Sequence, residues 1–135
     1  MDKIRSLIII LIGIAALIYA YYSLTYWDQD YLGRGIWYNE DWEVIFVNDK
    51  GIPNVPPKVV DYDWNSKHII VKQRPYQFAP DFNGWRNIVY PNGYDTTYYW
   101  LIVKSEHLFI GPLDSTDFDV LRQEYNVSNK LTFNH

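Results

Sequence analysis

The 135-residue chain carries twelve Lys and Arg against sixteen Asp and Glu, contains no cysteine, and is 19% aromatic. The missing thiol excludes a disulfide framework, a thiolate zinc site and a cysteine nucleophile. The net charge of −4 argues against nucleic acid as a partner, because phosphates are held by clustered positive charge.

Leu7 to Tyr26 holds no charged residue. At about 1.5 Å per residue, a helix of that length matches the ~30 Å hydrocarbon core of a bilayer. Lys3 and Arg5 precede the run, Asp28 and Asp30 follow it, and the next base is Arg34. Basic residues are retained on the cytoplasmic side, so the sequence predicts one span with its N-terminus inside. Tyr19, Tyr21, Tyr22, Tyr26 and Trp27 then fall at the outer headgroup layer, which suits amphipathic rings. A cleaved signal peptide competes with this reading. Its best cleavage site, Ile18-Tyr19-Ala20, offers only one of the two small residues needed, and the apolar core exceeds the usual ~7–15 residues. The expected division is a transmembrane anchor over 1–27 and an exported domain over 28–135, localised to the cell membrane. Gly13 and Ala15-Ala16 give the span a small-residue patch without a Gly-xxx-Gly repeat. That patch supports an alternative role as accessory subunit of a membrane complex, acting through the helix itself.

After the membrane exit, Gly33-Arg34-Gly35 reads as a turn, since a nucleotide-type glycine loop would follow a strand and open a helix. Trp42 to Val47 is expected as the first strand, with Trp42, Val44 and Phe46 on one face. Asn48 to Gly51 ends it, and Pro53, Pro56 and Pro57 punctuate an extended connection. Val59 to Trp64 alternates cleanly and returns as Lys67 to Arg74 through a two-residue turn at Asn65-Ser66. That register sets Asp63 opposite His68 and Tyr62 opposite Ile69. It gives a core face of Val60, Tyr62, Ile69 and Val71.

A long segment, Tyr76 to Thr96, shows no periodicity. A second hairpin pairs Thr97–Val103 with His107–Ile110, and Gly111-Pro112-Leu113 is expected to break the sheet. Asp114 to Asp117 caps a helix whose Phe118, Leu121 and Tyr125 pack on the sheet. Leu131 to Phe133 is expected to add a short strand. The fold class is therefore α+β, a transmembrane helix followed by a small antiparallel sheet domain with one C-terminal helix.

A spaced set of stretches in the second half carries a resemblance. It comprises Pro56-Pro57-Lys58-Val59-Val60-Asp61-Tyr62, His68-Ile69-Ile70-Val71-Lys72-Gln73, Tyr99-Trp100-Leu101-Ile102, Gly111-Pro112-Leu113, and Phe118 with the helix bearing Arg122. Asp30-Tyr31-Leu32-Gly33 joins it more loosely. The set resembles a family of short bacterial envelope proteins, mostly lipoproteins, catalogued only as a domain of unknown function. The resemblance covers roughly residues 30–133, interrupted at Tyr76–Thr96, where this chain is longer. It implies one exported domain of bacterial or phage origin, and no reaction, ligand or catalytic residue. The lipobox cysteine is absent, so lipid anchoring does not carry over.

Chemistry candidates are few. Asp63 opposite His68, with Asp61 nearby, would suit a small envelope hydrolase, because a carboxylate can orient an imidazole. The same spacing is explained by a cross-strand charge pair, and no nucleophile accompanies it. Asp114, Asp117 and Asp119 lack the glycine turn of a calcium loop, and acids in a first turn are favoured by the helix dipole alone. His68, His107 and His135 are scattered, so no metal or cofactor is expected.

What remains is the aromatic run Tyr76, Phe78, Phe82, Trp85, Tyr90 and Tyr94. Trp, Tyr and Arg are enriched at binding hot spots, so Trp85, Arg86 and Tyr90 are the expected ligand contacts, with Asn83 and Asn87 as hydrogen-bonding neighbours. That expectation requires exposed rings; rings turned inward would only pin the loop to the sheet. The leading reading is a non-enzymatic, membrane-anchored binding domain. Its partners are the membrane and an envelope protein or glycan.

Overall fold

The computed structural model describes residues 2–26, 29–47, 54–77 and 85–134. Asp2–Tyr26 forms a single helix, α1. Its segment Asp2–Ser23 is long and apolar enough to cross a membrane or to serve as a signal sequence. Every side chain from residue 2 to 23 is exposed. An apolar surface of that extent needs a lipid or protein cover.

Strands β1 (Gln29–Gly33), β2 (Ile36–Asn39) and β3 (Val44–Val47) form an antiparallel meander. The glycines do make a turn. Gly33, Arg34 and Gly35 follow one another with φ of 94°, 55° and 74°, a left-handed run that two glycines allow. The strands on either side of it are a correction to the sequence reading, which placed the first strand at Trp42. Trp42 instead lies in the turn before β3, where its N–H donates to Asn39 Oδ1 at 2.9 Å.

Strands β4 (Val59–Trp64), β5 (His68–Gln73), β6 (Tyr98–Val103) and β7 (Leu108–Leu113) form a second meander. Its first hairpin is shifted by two residues from the expected register, pairing Trp64 with Ile69 and Tyr62 with Val71. The cause is Asn65, whose Oδ1 accepts from both Lys67 N and His68 N while its own N–H donates to His68 O. The turn therefore spans Asn65–His68 rather than two residues. A shift of two keeps the faces of the hairpin unchanged. A bulge between Val59 and Asp61 then exchanges the outermost residue, so Val59 is buried and Val60 is 43% exposed.

Gly111-Pro112 does not break the sheet. It lies within β7, an edge strand, where proline's missing N–H disturbs no inner ladder. Gly111 sits against the Trp100 indole, which any Cβ there would strike.

The two sheets face each other. Leu32, Ile36, Ile45 and Val47 of the first meet Val59, Ile69, Val71, Trp100 and Ile102 of the second. Tyr62 crosses between them, its hydroxyl donating to Asp30 Oδ2 at 2.7 Å. At one end the buried Lys104 reaches Asn65 O at 2.8 Å, and His107 Nε2 donates to the Arg34 carbonyl.

The other face of the second sheet carries helix α2 (Ser115–Glu124). There Ile70 and Leu101 pack against Phe118, Val127 and Leu131. The helix thus takes the face opposite to the one expected for it, because Ile69 and Val71 are already claimed by the first sheet. Asp114 caps α2 as expected, its Oδ1 accepting from Asp117 N at 2.8 Å. Leu131–Phe133 does not form the expected strand. Its N–H groups at Thr132 and, just beyond, Asn134 donate to the carboxylates of Asp63 and Asp61 instead of to a ladder.

Phe118 is 3% exposed, whereas Leu121 is half-buried. Phe118→Ala should therefore cost about 3–5 kcal/mol, and Leu121→Ala less. Urea unfolding of the detergent-solubilised chain followed by circular dichroism measures both.

Candidate binding surface

Alternation along the first sheet sends Leu32, Ile36, Ile45 and Val47 into the core. Tyr31, Trp37, Asn39, Val44 and Phe46 must then point outward, because successive side chains alternate faces. Register aligns them: Tyr31 pairs with Trp37, Trp37 with Phe46, and Asn39 with Val44. The result is an aromatic row across all three strands. Tyr31 and Trp37 have ring centroids 4.6 Å apart. Tyr31 is 54% exposed and Trp42, at the row's end, 60%.

Beside Trp42 the face opens into a groove of about 280 Å³, lined by Asn39, Trp42, Val44, Phe46, Val47, Asn54 and Trp85. None of these residues is charged. The amide oxygens of Asn39 and Asn54 are taken by the N–H groups of Trp42 and Val47. What these two amides retain to offer a ligand is their NH₂ groups. The groove suits an apolar or ring-bearing group with a hydrogen-bond acceptor, not an ion.

The residues expected to bind are not gathered here. Trp85 reaches the groove, but as a wall: it is 8% exposed, contrary to the expectation of an open ring. Arg86 lies in the 3-10 turn Trp85–Asn87, and its side chain falls outside the described residues, as do Phe78, Phe82 and Asn83.

Tyr90 turns inward. Its hydroxyl accepts from Gln73 Nε2 at 3.0 Å, its ring meets Tyr94 and Tyr98, and burial raises its pKa. Tyr98 holds the same stretch through Asn92 N and Gly93 O, and Ile88 packs on the core. From residue 85 to 94 the loop is therefore pinned to the sheet. On the row itself Tyr31 and Trp42 are exposed and Trp37 and Phe46 half-buried. The sequence reading set Trp42 and Phe46 on one strand face but did not mark them, or Tyr31 and Trp37, as a binding surface. A signal for Tyr31 and Trp37 was available: they stand symmetrically about Gly33-Arg34-Gly35, as paired residues of a tight hairpin would.

Asp63 and His68 are not set opposite each other as the sequence reading expected. Asp63 pairs with Ile70, and His68 pairs with Val103. The carboxylates of Asp61 and Asp63 each accept from the neighbouring residue's N–H and from the C-terminal segment. His68 is buried, and that burial, together with Lys67, lowers its pKa. Among the described residues no cluster of His, Asp and Glu is placed to hold a metal ion.

Compared with known proteins, residues 21–135 match the family described as "Protein of unknown function (DUF3997)". No curated protein and no solved structure matches the chain.

Two predictions follow from the buried polar groups. Gln73→Leu leaves Trp100 Nε1 and the Pro56 carbonyl without their partner, and should cost at least about 2 kcal/mol in an unfolding measurement. For His68 the folded pKa lies below the unfolded value of 6.5, so the unfolded chain binds the proton more readily. Stability is then full above that pH and declines as pH falls through it. His68→Leu should flatten the slope of unfolding free energy between about pH 7.5 and 5.5.

Proposed function

The chain belongs to this family, whose description assigns no activity, and we propose its role from its own surfaces: a single-pass, membrane-tethered, non-enzymatic binding domain. The anchor is α1, oriented with Lys3 and Arg5 in the cytoplasm and residues 28–135 outside, in a bacterial envelope. The contact surface is the outward face of the first sheet, Tyr31, Trp37, Trp42 and Phe46, with the groove beside it. One observation carries this reading. Exposed Tyr31 and Trp42 stand on an aromatic face beside an uncharged groove, whereas Asp61, Asp63 and Tyr90 are engaged in the fold. The partner is a component of the envelope, a protein, a glycan or a lipid surface.

The absence of cysteine makes the topology testable with one introduced thiol. Asp119→Cys, on the exposed side of α2, should react with a membrane-impermeant maleimide in intact spheroplasts. Labelling only after lysis would reverse the orientation. The contact surface is tested by a photo-crosslinking residue at Trp42, which should give adducts in cells that the same residue at Asp119 does not. Equal adducts at both positions would remove the face as a specific surface.

A further inference from the structure

We infer that the outward face of the first sheet rests on the lipid headgroup layer of the membrane that α1 crosses. This deepens the role proposed above and depends on its anchor.

The first argument is covalent reach. Only Trp27 and Asp28 separate the end of α1 at Tyr26 from the start of β1 at Gln29. Consecutive Cα atoms lie about 3.8 Å apart, so Gln29 cannot be more than about 11 Å from Tyr26. Of the seven strands among the described residues, β1 is the one tied this closely to the span. The start of its sheet is therefore held near the membrane surface, and a tether this short makes any contact of the sheet with it effectively intramolecular.

The second argument is chemical. Tyr31, Trp37 and Trp42 are the ring types that concentrate at membrane–water interfaces, where an apolar body and a polar edge are satisfied together. Phe46 continues the row, and the groove beyond it has an uncharged lining, as an acyl or glycerol segment requires. The third is the arrangement of layers. The second sheet is covered on one face by the first sheet and on the other by α2. On the aromatic face, among the described residues, the groove wall at Trp85 is the contribution from outside this sheet and its connections. A protein partner would also suit such rings. The two-residue tether favours the membrane, because it keeps the start of this sheet within about 11 Å of the end of α1.

Charge sets the lipid class. Glu40, Asp41 and Glu43 lie in the turn that carries Trp42, and acidic residues are repelled by anionic headgroups. The face therefore selects zwitterionic lipid.

The test uses the full chain reconstituted in phosphatidylcholine vesicles containing a lipid with a nitroxide quencher at headgroup depth. Tryptophan fluorescence is read for the wild type and for Trp→Phe variants. Trp27, which follows the span, reports the anchor; Trp37 and Trp42 report the face; Trp64, 42% exposed on β4, reports the rest of the domain. Trp37→Phe combined with Trp42→Phe should lower the quenched signal by at least about twofold, and Trp42→Phe alone by a smaller amount in the same direction. Trp64→Phe should leave it unchanged. If the double variant is quenched as fully as the wild type while Trp27→Phe abolishes quenching, the anchor stands and the docking is overturned, leaving the face to a protein or glycan. If no tryptophan is quenched in the wild type, the anchor reading fails and the inference falls with it. Replacing part of the phosphatidylcholine with phosphatidylglycerol should weaken quenching of Trp42; stronger quenching would overturn the zwitterionic assignment.

Discussion

One buried amide ties together the domain that follows α1. Gln73, 0% exposed at the end of β5, donates through Nε2 to the Pro56 carbonyl at 3.1 Å and to the Tyr90 hydroxyl at 3.0 Å. Its Oε1 accepts from Trp100 Nε1 at 2.6 Å. Those three partners come from the connection before β4, from the long loop and from β6. Each is a group that could not be buried without a partner except at a cost of about 1–3 kcal/mol. The amide therefore fixes three things at once: how the chain enters the second sheet, where the loop folds down, and which way the Trp100 indole lies. The indole in turn requires Gly111 on β7, so the edge strand also depends on it.

With that sheet set, the layers follow. Strands β5 and β6 are apolar on both faces, Ile69, Val71, Trp100 and Ile102 to one side and Ile70 and Leu101 to the other. A sheet of this kind must be covered twice. One cover is α2, whose outer side shows Asp117, Asp119, Gln123 and Glu124 to solvent. The other is the first sheet, whose outer side shows Tyr31 and Trp42. The two covers do the same work toward the core and differ only in what they present outward. A polar helix face is an ordinary solvated surface. The aromatic sheet face is the half of the molecule that solvation alone does not account for.

The sequence was most legible where one physical signal acted alone. The unbroken apolar run gave α1, alternation gave β4, and Asp114 followed by the Phe118 spacing gave α2. Legibility failed where two signals overlapped. β1 and β2 carry apolar or aromatic residues on both faces, so Tyr31, Leu32, Ile36 and Trp37 show no alternation and the strands were missed. The hairpin register hinged on the side chain of Asn65, whose turn lies beyond what pairing patterns reveal. Gly111-Pro112 looked like a breaker because nothing local says that it lies on an edge. Trp85 was expected as an open, ligand-contacting ring, and composition could not say that its ring closes a groove instead. The aromatic face went unrecognised because β1 and β2, two of the three strands that build it, were missed.

The acidic balance of the domain bears on function in the same way. Beyond Trp27 the chain has ten basic and fifteen acidic residues, which invites a search for carboxylate chemistry. In the fold, Asp30 accepts from Tyr62, Asp61 and Asp63 hold the C-terminal segment, and Asp114 caps α2. The burial of Tyr62 and its bond to Asp30 raise the tyrosine's pKa, so this bridge between the sheets keeps its proton across the physiological range. A carboxylate accepting an N–H or O–H in this way does what a strand ladder or a backbone cap would do elsewhere. In a domain of about a hundred residues without disulfides, such side-chain staples supplement a modest core. Asp30, Asp61, Asp63 and Asp114 are thereby accounted for by architecture. What architecture leaves unexplained is the open aromatic row, and that is where the function of this chain is to be sought.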